Sequence, residues 1–157
     1  MTLAKRAQQF QQTLQDRGHD FQVIELPAST RTADDAASAL GCAKEQIVKS
    51  LVFRATVAND PVLVLASGPN RVNERALERL LQVKIAKADA AFVKAVTGYA
   101  IGGVPPFGHV QPLTTVVDED LLQYSTTWAA AGTPNAVFQI KGPITAVLPP
   151  HAVSSIA

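Results

Sequence analysis

The chain has 157 residues, of which 47% are apolar and 17% charged, with a net charge of +1 and a single cysteine, Cys42. That size and balance fit one α/β domain that buries a core unaided, and they exclude a disordered chain, a disulfide framework and a cysteine zinc site. No apolar run is long enough to cross a bilayer and the N-terminus lacks a signal-peptide core, so a cytoplasmic location is expected.

Thr2 to Arg17 reads as a helix whose apolar stripe is Leu3, Ala7, Phe10 and Leu14, closed by Gly18. Phe21 to Leu26 reads as a short strand stopped by Pro27, and Ser29 to Thr32 as a loop. Thr32 with Asp35 forms a variant capping box that opens a helix to Leu40, which Gly41 stops. A short turn over Ala43 to Gln46 leads into the strongest strand, Ile47 to Val57, which the apolar character of both its faces predicts to be central. Ala58-Asn59-Asp60 is a hairpin turn into a second strand, Pro61 to Ala66. Asn73 caps a helix to Leu81, Val83 to Ala86 is a short strand, and Asp89 caps a helix ending near Val96. A glycine- and proline-rich loop, Thr97 to Gly108, precedes a strand at Leu113 to Val117 and a helical turn capped by Asp118. Strands at Thr126 to Ala131 and Ala136 to Ile140 follow, and the tail from Pro143 to Ile156 reads as a short helix. Hairpins mixed with βα units predict a mixed sheet rather than a wholly parallel one.

Two features can carry chemistry. Alternation places Ile47, Lys49, Leu51 and Phe53 on one strand face, with Val48, Ser50, Val52 and Arg54 on the other. A lysine among such neighbours either snorkels from the strand end or enters a cleft, where its ammonium can orient a carbonyl or stabilise developing negative charge. The loop carries Gly98, Gly102, Gly103 and Gly108 with Pro105 and Pro106. It reads either as a stiff shelf of amide donors for an ester or phosphate oxygen, or as an ordinary surface loop. It matches neither the dinucleotide fingerprint nor a P-loop. His19, His109 and His151 make no metal spacing, and His109 reads as a surface residue. Arg71, Arg75 and Arg79 share one face if helical, either as a solvated stripe or as a phosphate contact.

Taken in order, the segments Thr32-Ala33-x-x-Ala36-Ala37-x-x-Leu40-Gly41, Gln46-Ile47-Val48-Lys49-Ser50-Leu51-Val52-Phe53, Thr97-Gly98-Tyr99-x-Ile101-Gly102-Gly103-Val104-x-Pro106-Phe107-Gly108, Asp118 with Leu121-Leu122, and Ala131-Gly132 resemble the YbaK/prolyl-tRNA-editing family, ProX-like or INS-domain. The resemblance implies one editing domain over residues 1–157, with a mixed, mostly antiparallel sheet curled into a partial barrel and surrounded by helices. It implies a trans-acting deacylase that hydrolyses the ester of a mischarged tRNA, with Lys49 as the key catalytic residue and no metal or other cofactor. Ser50, Gly102, Gly103, Val104, Pro106, Phe107, Gly108, Ala131 and Gly132 become the implied substrate-binding set, with Arg71, Arg75 and Arg79 as tRNA contacts. The implied partner is the acceptor end of mischarged tRNA, with an aminoacyl-tRNA synthetase as a further one. Ala129-Ala130-Ala131-Gly132 stands where cysteine-specific members carry a serine, and Ser50 stands where alanine-specific members carry asparagine. The reading therefore leans to a small or hydroxylated amino acid, Ser, Thr or Ala, and away from cysteine. A non-catalytic module that binds tRNA ends or nucleotides is the competing reading.

Overall fold

The computed structural model describes residues 3–26 and 32–157. Met1, Thr2 and 27–31, hence the strand stop at Pro27 and most of the Ser29 to Thr32 loop, lie outside the described residues. In chain order the elements are α1 (Lys5–Asp16), β1 (Val23–Glu25), α2 (Ala33–Leu40), β2 (Val48–Ala55), β3 (Pro61–Ser67), α3 (Glu74–Leu81), β4 (Ile85–Lys87), α4 (Ala90–Thr97), β5 (Thr114–Asp118), β6 (Thr126–Ala130), β7 (Ala136–Lys141) and β8 (Ala152–Ser154). Short 3₁₀ turns lie at Lys44–Gln46, Glu119–Gln123 and Ile144–Ala146.

Helix starts follow the caps. The Thr32 hydroxyl accepts from Asp35 N, Asn73 Oδ1 from Ala76 N, and Asp89 Oδ1 from Phe92 N, each satisfying a first-turn N–H that has no partner within the helix. Helix α1 buries Ala7, Phe10 and Leu14 completely, the stripe its spacing predicts.

The strands form two sheets, β1-β7-β6 and β4-β2-β3-β5-β8, joined by an isolated bridge from Ile47 to Trp128. The first sheet is antiparallel. In the second, β4-β2-β3 pair antiparallel while β5 and β8 add in parallel. The structure thus divides the expected single curled sheet in two, with no closed barrel among the described residues. It also corrects the tail, which is not a helix beyond the 3₁₀ turn. Residues Ala152–Ser154 pair with β5 instead, because Ile156 drops fully into the core beside Val64, Leu77 and Val116.

The central strand is β3, all seven of whose residues are buried. Strand β2 pairs with β3 along its length but with β4 only at Phe53–Ala55. Its other edge is therefore open around Ser50, between β4 at one end and the Trp128 bridge at the other. Backbone groups of alternate strand residues face the same neighbour. Val52 O accepts from Ala88 N on the β4 side, so the backbone N–H and C=O of Ser50 face that open edge.

The glycine-rich loop is fixed at both ends. Thr97 Oγ1 donates to Val93 O and accepts from Tyr99 N at its start. At its far end Phe107 is fully buried against Phe10 and Phe138, with ring centroids 5.6 and 6.1 Å away. Between them Gly103 lies against the Gly132 backbone: Gly132 N donates to Gly103 O at 2.9 Å, and a Cβ on Gly103 would sit 2.8 Å from Gly132 O. Backbone cannot move aside as a flexible side-chain end can. Gly103→Ala is therefore expected to lose about 1–3 kcal/mol by overpacking, read as a lower urea midpoint at unchanged slope.

A split cleft around Lys49 as the candidate active site

Lys49 sits near the start of β2, half-buried, with its ammonium donating to the backbone carbonyl of Asn70. Asn70 is itself clamped, its Nδ2 donating to Asp118 Oδ2 at 2.8 Å and to Asp120 Oδ2 at 2.7 Å. Asp118 is buried to 1% exposure and accepts twice more, from Ser67 N at 3.0 Å and Asp120 N at 3.0 Å. A buried carboxylate with several donors is well compensated, and here it fixes three pieces of chain relative to one another. Asp118 caps the following turn as its spacing predicts, but its hold on Ser67 and Asn70 and the hold of Asn70 on Lys49 have no local sequence signal. Asn70 carried only the signal of a turn residue after Gly68-Pro69.

The Lys49 pKa is lowered from the ordinary lysine value, first by burial, then by the positive charges of Lys44 and Arg71, with Asp118 partly offsetting them. A cation held in a cleft this way is poised to pair with an incoming anion or polarised carbonyl.

Two chambers open along the unpaired edge of β2 and share Lys49, Ser50, Leu51 and Ile101. The first, about 570 Å³, is cationic: Lys49, Arg71 and Lys87 line it, with Glu74 the carboxylate among its walls. The second, about 540 Å³, is lined by the small residues Ala33, Ala36, Gly102, Ala129 and Ala130 together with the larger Ile47, Val48, Leu51 and Val137, with half-buried Trp128 on one side. Asp34 and Lys44 stand at it as an ion pair of 3.1 Å. Both volumes suit small-molecule or single-nucleotide ligands. Ile101, 57% exposed at the tip of the glycine-rich loop, overlooks both chambers.

The structure brings together Lys49, Ser50, Gly102 and Val104 from the expected set with Arg71, expected as a tRNA contact. It places the others behind the cleft wall. Gly103 and Gly132 pack on each other, Phe107 and Ala131 are fully buried in the core, Pro106 is buried beside Phe107, and Gly108 lies against Thr13. The expected amide shelf is thus reduced to the loop tip, since Gly103 N already donates to Ala100 O. From β6 the cleft takes Ala129 and Ala130 rather than Ala131. Ser50 lines both chambers, yet its Oγ is buried and has no hydrogen-bond partner among the described residues. His109 is half-buried and outside the cleft: its Nε2 contacts Pro105 O at 2.7 Å, bracing the loop, and burial holds its pKa below the usual histidine value. The three arginines also separate. Arg75 and Arg79 lie on α3, whereas Arg71 precedes the Asn73 cap and turns into the cationic chamber.

Residues 27–145 match the family described as the aminoacyl-tRNA editing domain. The chain belongs to that family. A crystal structure proposed to be a trans-editing enzyme for prolyl tRNA synthetase superimposes on this editing domain with a TM-score of 0.92 at 43% identity, covering 99% of this chain and 98% of that one. The uncharacterized protein YwhH of Bacillus subtilis (strain 168) is 28% identical over 118 residues, 75% of this chain and 74% of YwhH. The proline–tRNA ligase of Thermoanaerobacter sp. (strain X514) is 29% identical over 98 residues, 60% of this chain but 17% of the ligase, so the editing domain matches only a small part of that enzyme. No helix among the described residues is long and apolar enough to cross a membrane.

Two outcomes follow from the lysine clamp. Asn70→Ala keeps the carbonyl that receives Lys49 but frees the loop carrying it. It should cost about 1–3 kcal/mol of stability and lower the activity of the cleft more than tenfold, with Lys49 intact. Burial disfavours the charged form of Lys49, so between its lowered folded pKa and the ordinary lysine value the unfolded chain holds the extra proton. The contribution of Lys49 to stability should therefore rise with pH across that window, and a Lys49→Met variant should lack this rise in urea titrations at a series of alkaline pH values.

Proposed function

We propose that this editing domain is a trans-acting deacylase that hydrolyses the ester of a mischarged tRNA carrying a small or hydroxylated amino acid, Ser, Thr or Ala. One observation carries the reading: a single ammonium, held by Asn70, stands where a cationic chamber meets a mostly apolar one that has four alanines and Gly102 in its walls. An aminoacyl ester joins two such halves, an anionic nucleotide end and a small acyl group.

In this reading the terminal nucleotide lies in the cationic chamber, with Arg71 and Lys87 near its phosphate, and the aminoacyl group lies among Ala33, Ala129, Ala130 and Gly102. The ester carbonyl then falls at Lys49. The ammonium orients the carbonyl and stabilises the oxyanion as a water attacks. The carbon–oxygen bond to the ribose breaks, and the free vicinal hydroxyl of the ribose relays a water proton to the departing oxygen. Asp34 is engaged with Lys44, which supports a relay through substrate rather than through that carboxylate. Lys49 acts here as a positioned cation and not as a nucleophile. Walls built of alanine discriminate weakly among small side chains, since one methylene is worth only about 1–3 kcal/mol, so several substrates are accepted.

The test is release of free amino acid from tRNA mischarged with Ser, Thr, Ala, Cys or Pro. Release should be fastest within the first three and should fall by about 100-fold or more in Lys49→Met, as expected for loss of an oxyanion-stabilising group. Release by the wild-type chain from none of the five would leave a binding module, and undiminished release by the variant would remove Lys49 from the chemistry.

A further inference from the structure

A third concavity, about 550 Å³, lies outside the cleft, between α3 and the start of β4. Arg75, Arg79 and Lys84 line it, and Glu78 is the carboxylate among them. One oxygen of Glu78 is already engaged, accepting from Ile85 N at 3.0 Å where β4 begins. Arg75, Arg79 and Lys84 are all exposed, and none makes an ion pair among the described residues. Arg75 and Arg79 stand four apart on one face of α3, about 6 Å between neighbouring side-chain origins.

This groove and the cationic chamber lie at opposite ends of β4. Strand β4, three residues long at the sheet edge, has Lys84 just before it at the groove and Lys87 at its other end in the cationic chamber. On the other side, Arg71 in the chamber is followed by α3 with Arg75 and Arg79 in the groove. Five exposed cations thus line the chamber or the groove on either side of the edge strand β4. The net charge of the whole chain is only +1, so this edge is a local concentration and not a sample of a basic surface.

We infer that the α3–β4 edge is a phosphate track for the nucleic-acid strand that leaves the cleft. The inference rests on the deacylase reading for its starting point and goes beyond it by giving the strand a direction and a second, remote set of contacts. The terminal nucleotide enters the cationic chamber, and the preceding phosphates of the acceptor strand pass Arg75, Arg79 and Lys84. Backbone contacts of this kind fix register and orientation without reading sequence. They add affinity that falls with salt, each neutralised phosphate contributing about 0.7–0.9 to the slope of log affinity against log salt.

The experiment compares wild type with R75Q/R79Q/K84Q, whose changes are all at exposed side chains, and with a control, K5Q/K141Q, at exposed lysines elsewhere. Two readouts are taken: uncharged tRNA affinity over a range of salt, and hydrolysis of a short aminoacyl-adenosine ester that ends before the track. The triple variant should bind tRNA at least tenfold more weakly with a salt slope lower by about two to three, while its rate on the short ester stays within twofold of wild type. The control should lose little affinity per charge removed. Unchanged tRNA binding by the triple variant, or an equal loss per charge in the control, overturns the track. Loss of a synthetase partner with tRNA affinity retained also overturns it, assigning the edge to an acidic protein face. The binding readout needs no turnover. A wild-type chain inert on every ester but showing the predicted salt slope would sink the deacylase reading and leave the track standing.

Discussion

The chemistry proposed for the cleft depends on a buried carboxylate. Asp118 lies at the end of β5, accepts from the backbone of Ser67 at the end of β3, and holds the side chain of Asn70 in the loop that follows. That loop presents a carbonyl to Lys49 on β2. Three neighbouring strands thus converge on one ion-and-amide cluster. An ammonium on an open strand edge would otherwise sample many rotamers. Catalysis by a positioned charge needs the charge fixed before substrate arrives, because reorganisation at the moment of reaction costs rate.

The second constraint is the interrupted edge of β2. A sheet that continued past Ser50 would pair its backbone and leave no cleft. Here β4 stops after three residues and β6 pairs only at Ile47, so the strand edge is paired at both ends and unpaired between. The glycine-rich loop overhangs the gap. Its packing side is rigid, with Gly103 on Gly132 and Phe107 in the aromatic core, and its tip at Ile101 and Gly102 is exposed. Rigid support behind an exposed tip is the arrangement a binding site needs when a loop must present backbone to a ligand.

Much of this was legible in the chain. Thr32, Asn73, Asp89 and Asp118 each signalled a local backbone need, and each caps where its spacing indicates. Strand alternation separated Val48 and Val52, in the larger core, from Leu51 and Phe53, in the second core cluster. What escaped was non-local. Nothing near Ala152 announces a parallel strand, because its partner is β5, which ends more than thirty residues earlier. Composition marked the loop from Thr97 to Gly108 as special but could not separate glycines that meet a ligand from glycines that meet another backbone. Helical spacing grouped Arg71 with Arg75 and Arg79, while the Asn73 cap puts Arg71 outside the helix and into the cleft.

The central claim is that an aminoacyl ester seats with its carbonyl at Lys49, its nucleotide in the cationic chamber and its acyl group among the alanines. The direct measurement is a nuclear magnetic resonance titration with a non-hydrolysable seryl-adenosine amide, following the Lys49 side chain and the backbone amides of Gly102, Ala129 and Ala130. Saturable shifts are expected at all four, with the acyl-chamber shifts lost when adenosine alone is added. Saturable binding that leaves Lys49 and the alanine chamber undisturbed would contradict the claim.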